Sequence, residues 1–229
     1  MLQIKYDNRI TVNEIFQKHI HLRLSRVIKN TIVTSITPLP LQFTSSTLTI
    51  SSYIGDEIYK NGIYNTSSSS MYNTIDFANY LPFNLNPPDG WVSANNSYDV
   101  LTSLSTTNVQ TTLSTTTKII GEWVGIQLPY SATISSYEMM VRNVDIAGLT
   151  KNTGPTIFSI LGSNTGIDGS WIEINNQNIS SSIWSTNVFI PTRFEITTTI
   201  PAFSYFRLVV TNAGTLYPFV GIKQFKLLV

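Results

Sequence analysis

Residues 162–171, GSNTGIDGSW, set an aspartate among glycines and beside a tryptophan. Such an acid admits three chemistries: a catalytic carboxylate, a ligand in a calcium loop, or the tip of a hairpin. Acid–base catalysis requires a second carboxylate or a histidine close by, and the only histidines, His19 and His21, stand far upstream. Asp168-Gly169 is a strong turn dipeptide, because Asp tolerates the left-handed backbone region and Gly has no Cβ to clash there. The turn reading wins. TIFSILGSN and SWIEI then form an antiparallel hairpin, with Trp171 packing back on the sheet.

Elsewhere the acids are scattered, and no Ser-His-Asp set, His/Cys metal spacing or Gly-rich phosphate loop is present. Asp56-Glu57 reads as a solvated pair in a turn. The chain has no cysteine, which removes disulfides, thiolate metal sites and Cys nucleophiles together. No enzyme is expected, and no cofactor.

The elements that position these residues are strands. LTISSYI, GEWVGIQL, SSYEMMV, TIFSILG, SWIEI, RFEITTTI, YFRLVV and IKQFKLLV are short runs of β-branched and aromatic residues, punctuated by Gly, Pro, Asn or Asp. No helix-length pattern intervenes between residues 92 and 229, so the expected class is all-β, an antiparallel sandwich. LSTTNVQTTLSTTT (104–117) reads as a long loop or edge strand anchored by Leu104, Val109 and Leu113.

The N-terminal part differs. Val12, Phe16, Ile20, Leu24 and Ile28 recur every four residues, while IHLRL alternates as a strand does; a short helix near 12–19 running into an extended stretch is expected. Within the first 36 residues, Lys5, Arg9, Lys18, Arg23, Arg26 and Lys29 face only Asp7 and Glu14. That leaves +4 on the segment and −3 on the remainder, given a total of +1. The asymmetry fits an arm that docks on an acidic neighbour through Phe16, Ile20, Leu24, Arg23 and Arg26; an ordinary solvated face fits it too. TPLPLQF (37–43) reads as a semi-extended linker.

Charged residues are 12% of the 229, about half the usual share, so the surface is dressed in Ser, Thr and Asn. A net charge of +1 argues against a nucleic-acid partner. No apolar run approaches the roughly 20 residues of a membrane span, and MLQIKYDNRI lacks the order of a signal peptide, so no membrane insertion is expected. The sequons at Asn65, Asn95 and Asn178 are read as chance matches.

F-S-I-L-G-S-N-x-x-x-D-G-S-W resembles the hairpin of coagulation factor V/VIII type C (discoidin) domains. Six further stretches follow that family's order: GIYNTSSSSMYN (62–73), DGWVSANNSYD (89–99), GEWVGIQLP (121–129), ISSYEMMVRN (134–143), YFRLVVTN (205–212) and VGIKQFKLLV (220–229). The resemblance covers about residues 60–229 and implies an eight-stranded, galactose-binding-like jelly roll. The division it implies is an arm and linker over 1–56 and a sandwich over 57–229. Its ligand loops map to about 78–90, 94–120 and 143–156. On them Tyr80 and Phe83 are candidates to stack on a sugar or, alternatively, to close the core, and Asn95, Asn96 and Arg142 to hydrogen-bond hydroxyls. Trp91, Trp123 and Trp171 are assigned to the core. Many relatives hold calcium with an acidic closing strand; here Gln224 stands at that position, and DFANYLPFNLNPPDGW (76–91) is stretched beyond the compact calcium loop, so no metal is expected.

The GxYxxSSSS and GEWVxIxLP wording is similar to discoidin-like domains of large DNA viruses. It implies a non-enzymatic virion component, a minor capsid or surface protein, made in the host cytoplasm and partnered by other capsid proteins. A lectin-like module that attaches to cell-surface glycan is the alternative.

Overall fold

The computed structural model of the protein describes residues 43–50, 61–84, 89–146, 149–185, 190–214 and 217–228. The chain divides into two units, Met1–Pro38 and Leu39–Val229, and every described residue belongs to the second. The helix near 12–19 and the docking residues Phe16, Ile20, Leu24, Arg23 and Arg26 lie outside the described residues.

Two antiparallel sheets make the sandwich, as the strand pattern leads one to expect. The larger runs in the order β1 (Thr47–Ile50), β2 (Gly62–Ser68), β6 (Glu122–Ala132), β13 (Phe203–Asn212), β10 (Ile157–Ser163), β11 (Ile172–Asn178). The smaller runs β12 (Thr192–Glu195), β7 (Ser136–Val141), β14 (Gly221–Leu228), β3 (Trp91–Val92). Two hairpins stand beside them, β4 (Gln110–Thr112) with β5 (Lys118–Ile120), and β8 (Asn143–Ile146) with β9 (Leu149–Asn152).

Strand β1 comes from the segment read as arm and linker, so the sandwich starts earlier than residue 57. It is bolted down by a side chain that imitates a strand. Asn84 accepts from the Phe43 N–H at 2.6 Å and donates to the Phe43 carbonyl at 2.9 Å. Phe43 itself is buried in the core.

Alternation along each strand sends one set of side chains inward. Val124, Ile126 and Leu128 from β6 and Phe206, Leu208 and Val210 from β13 meet Tyr137, Met139, Ile222, Phe225 and Leu227 from the opposite sheet. Phe158 and Phe194 bridge the sheets edge to face at 5.6 Å, and Phe194 stacks on Tyr137 at 5.1 Å. The Tyr137 hydroxyl crosses to Asn175 Oδ1 at 2.8 Å.

The second half of the 104–117 stretch supplies β4 and the turn of the hairpin β4–β5, laid over the outer face of the larger sheet. Leu113 is its buried anchor, whereas Leu104 is half exposed, because only Leu113 reaches a second cluster formed with Leu161, Trp171 and Val209. Trp171 is therefore buried, but on the outside of the sheet. Trp123, assigned to the core from its residue type, is only partly covered there. Trp91 is fully buried between the sheets. Between the two outer tryptophans lies Arg207, its guanidinium 3.7 Å from the Trp123 ring centre and 4.1 Å from that of Trp171. Arg207 Nη1 donates to Thr111 Oγ1 at 2.9 Å.

The GSNTGIDGSW segment links β10 to β11 as an antiparallel hairpin. Gly169 has φ +83° with open space around its Cβ position, and its N–H donates to the Thr112 carbonyl at 2.9 Å. Asp168 is exposed.

Candidate functional site

One end of the sandwich gathers four segments: 69–77 after β2, 91–98 at and after β3, Arg142 after β7, and 217–221 leading into β14. Backbone bonds lace them together. Tyr72 N–H donates to Val92 O (2.8 Å), Ser93 N–H to Val220 O (3.0 Å), Tyr98 N–H to Pro218 O (3.2 Å) and Arg142 N–H to Gly221 O (3.0 Å). Trp91 adds an indole bond to Ser70 O at 2.7 Å, and Ser70 Oγ accepts from the Ala94 N–H at 2.9 Å. None of these segments is a regular sheet interior, so the cross-links do the positioning.

Four aromatic rings run across this end. Tyr217 and Phe219 stack with centroids 5.5 Å apart and planes 19° apart. Tyr72 meets Phe219 edge-on at 5.9 Å and Phe77 edge-on at 5.7 Å. The Arg142 guanidinium stands 4.6 Å over the Phe77 ring, and its Nε donates to Asp89 Oδ1 at 3.3 Å. Tyr72 is 49% exposed and the Arg142 and Asp89 side chains 22% and 41%, so the face remains open to solvent. A row of rings beside a cation and a carboxylate offers apolar planes, donors and an acceptor within one surface.

Of the residues expected to bind, Arg142 alone lies in this row. Asn95 and Asn96 are exposed in the neighbouring turn; Asn96 has φ +62°, a conformation Asn tolerates, and its carbonyl accepts from Thr106 Oγ1 at 2.6 Å. Tyr80 and Phe83 point the other way. Phe83 is 8% exposed with its ring 6.0 Å from Phe225, and Tyr80 packs against the same core at the start of the 3-10 turn Leu81–Phe83. They close the core beneath the loop, the second of the two readings open to them. Tyr72, Phe77, Asp89, Tyr217 and Phe219 were not foreseen. The sequence feature at this face is a pair of aromatics flanking a proline just before the closing strand, Tyr217-Pro218-Phe219.

The mapped loops fare unevenly. The span 94–120 mostly turns away to form β4–β5, and 143–152 forms the hairpin β8–β9. In the 76–91 stretch, Asn79 is held as an amide by Ser46 Oγ at 3.0 Å and Thr66 Oγ1 at 3.2 Å, and Gln224 is buried in β14. Neither group carries a charge, and Asn79 Oδ1 already accepts from two hydroxyls. Among the described residues no three His, Cys, Asp or Glu side chains gather, and no helix is long and apolar enough to cross a membrane.

No family model matches the chain, and neither does any curated protein. Among solved structures it is similar to chitosan-binding module 1 derived from a chitosanase/glucanase of Paenibacillus sp. IK-5, at 14% identity over 72% of this chain and 94% of that one, with a TM-score of 0.49. It is similar also to the family 32 carbohydrate-binding module of Clostridium perfringens NanJ in complex with galactose, at 12% identity over 72% and 92%, TM-score 0.46. A third likeness is to the F5/8 type C domain of a Bacteroides fragilis protein, at 13% identity over 72% and 89%, TM-score 0.44.

Proposed function

We propose that the sandwich is a non-catalytic carbohydrate-binding module whose Tyr72–Phe77–Tyr217–Phe219 face is the platform and Arg142 the polar anchor. The observation that carries this is the row of partly exposed rings ending at the Arg142–Asp89 pair. A sugar presents an apolar face of C–H groups, which lies against aromatic planes, and a rim of hydroxyls, which need donors and acceptors. Arg142 supplies the first, Asp89 the second, and Asn95 with Asn96 both. Screening the purified chain on a glycan array, followed by calorimetry on the best ligand, tests the reading. Phe219→Ala and Arg142→Ala are each expected to weaken binding by about tenfold, the loss of about 1.4 kcal/mol. Absence of glycan binding, or binding indifferent to both substitutions, refutes it.

The virion role is a second proposal, and it concerns the first 36 residues. The charge asymmetry of +4 against −3, with Ile15, Phe16, Ile20, Leu22 and Leu24 interleaved among the basic residues, supports a segment that docks on an acidic partner in an assembled particle. Deleting residues 1–36 is expected to abolish incorporation into particles; normal incorporation of the truncated chain refutes it.

A further inference from the structure

Asn61 is followed by Gly62, and no other asparagine of the chain precedes a glycine. The pair stands at the last rung of the β1–β2 ladder. Gly62 lies opposite Ile50, and Asn61 falls just outside the strand, exposed to solvent. The fold allows only glycine at position 62. Its φ is +144°, and an added Cβ would run into the Pro129 ring. A residue that must be glycine therefore follows an exposed side-chain amide, and asparagine is among the chemically labile residues.

A backbone nitrogen whose own Cα bears no side chain is the least hindered nucleophile the chain can turn on the preceding side chain. We propose that Asn61 is a site of spontaneous deamidation. The Gly62 nitrogen attacks Asn61 Cγ and closes a five-membered imide. The Cγ–Nδ2 bond breaks, and the amide group leaves as ammonia with the proton that the Gly62 nitrogen gives up. Water then opens the ring: at Cγ it leaves aspartate, and at the backbone carbonyl it leaves isoaspartate, whose main chain runs through Cγ. Nothing is oxidised or reduced, and water is the only co-reactant. Ring closure needs the backbone to leave its strand position, which a fraying strand end permits and a paired interior does not. Asn65, by contrast, stands within β2 and is bonded to Thr47 and Gln127, and Asn84 is locked on Phe43. Asn96 is exposed, but Ser97 follows it with a Cβ in the way. Each conversion turns a neutral amide into a carboxylate, so the chain passes from a net charge of +1 to zero, where repulsion between copies is least. None of this depends on what the loop end binds.

Ageing the purified full chain at neutral and at mildly alkaline pH, followed by peptide mapping with mass spectrometry, tests it. The peptide holding Asn61 is expected to gain the mass difference between a carboxyl and an amide and to split into aspartate and isoaspartate forms. Conversion should be faster at the higher pH, because the attacking nitrogen must shed its proton. In isoelectric focusing the aged protein should move to the position of freshly made Asn61→Asp. Asn61→Gln, which would have to close a larger ring, is expected to stay unconverted and to keep the original position. An Asn61 that remains intact in the folded chain, whether or not it converts in urea, overturns the proposal. So does deamidation of Asn95 or Asn96 ahead of it.

Discussion

Arg207→Lys is expected to destabilise the protein more than Arg207→Met, although lysine keeps the charge. Burial pulls the Arg207 pKa from the ordinary arginine range down to about 10 even with Asp168 pulling it up. At 1.36 kcal/mol per unit that is about 3 kcal/mol against holding the charge inside. Two aromatic faces at 3.7 and 4.1 Å return about 0.5–1 kcal/mol each, and the bond to Thr111 roughly 1–2 more. The opposing contributions nearly cancel. Methionine gives up both sides at once while retaining apolar bulk between Trp123 and Trp171, so its cost is expected within about 1 kcal/mol of zero. Lysine keeps the desolvation penalty but has no planar group to lie between two indoles, and its cost is expected at about 2 kcal/mol. Urea unfolding followed by tryptophan fluorescence measures both. A lysine variant as stable as the methionine variant, or more so, refutes the offset between desolvation and stacking on which these figures rest.

Three other outcomes are expected. Tyr98 and Tyr137 have hydroxyl pKa values raised by burial, Tyr98 further by the Glu122 carboxylate, above the 10.0 of the unfolded chain. Their contribution is complete below pH 10 and is lost as pH rises through the folded values, because the unfolded state then sheds protons the native state keeps; urea midpoints should fall above pH 10, less steeply in Tyr137→Phe. Gly169→Ala should cost about 1 kcal/mol through its positive φ alone, since its Cβ meets nothing, and calorimetric unfolding at no cost would contradict the left-handed turn. Limited proteolysis should remove N-terminal residues only as far as about residue 42, and a stable fragment beginning beyond Ile50 would contradict the place of β1 in the sheet.

Strands were the most legible part of this chain, because alternation of Val, Ile, Phe and Tyr with polar residues is a direct imprint of a sheet with one buried face. The hairpin β4–β5 was legible only as a loop or edge strand, since its three-residue strands flank one buried leucine in a Thr-rich stretch, and neither propensity nor pattern distinguishes such a flap from a loop. Trp123 shows the same limit: its residue type argues for burial, but its parity along β6 puts it on the outward side with Gly125 and Gln127. For the candidate site, Arg142 directly follows a strand end in a resembling motif, and the structure sets it beside the aromatic row. Tyr80 and Phe83 stayed open between two readings because an aromatic in a loop reads alike whether the loop folds inward or outward. Only the 3-10 turn at 81–83, which directs Phe83 towards Phe225, decides between them.

The clasp between Asn84 and the backbone of Phe43 has a mechanical meaning. β1 is an edge strand four residues long, so tension applied from its N-terminal side would otherwise peel its bonds one by one, each rupture loading the next. The Asn84 amide grips both backbone groups of Phe43 at once, and Ser46 adds a hold on Asn79 three residues later. A pull is then borne first by bonds acting in parallel, and only after they yield does unzipping begin. Whatever tugs on the preceding segment meets a threshold, and the site at the loop end is spared the strain below it.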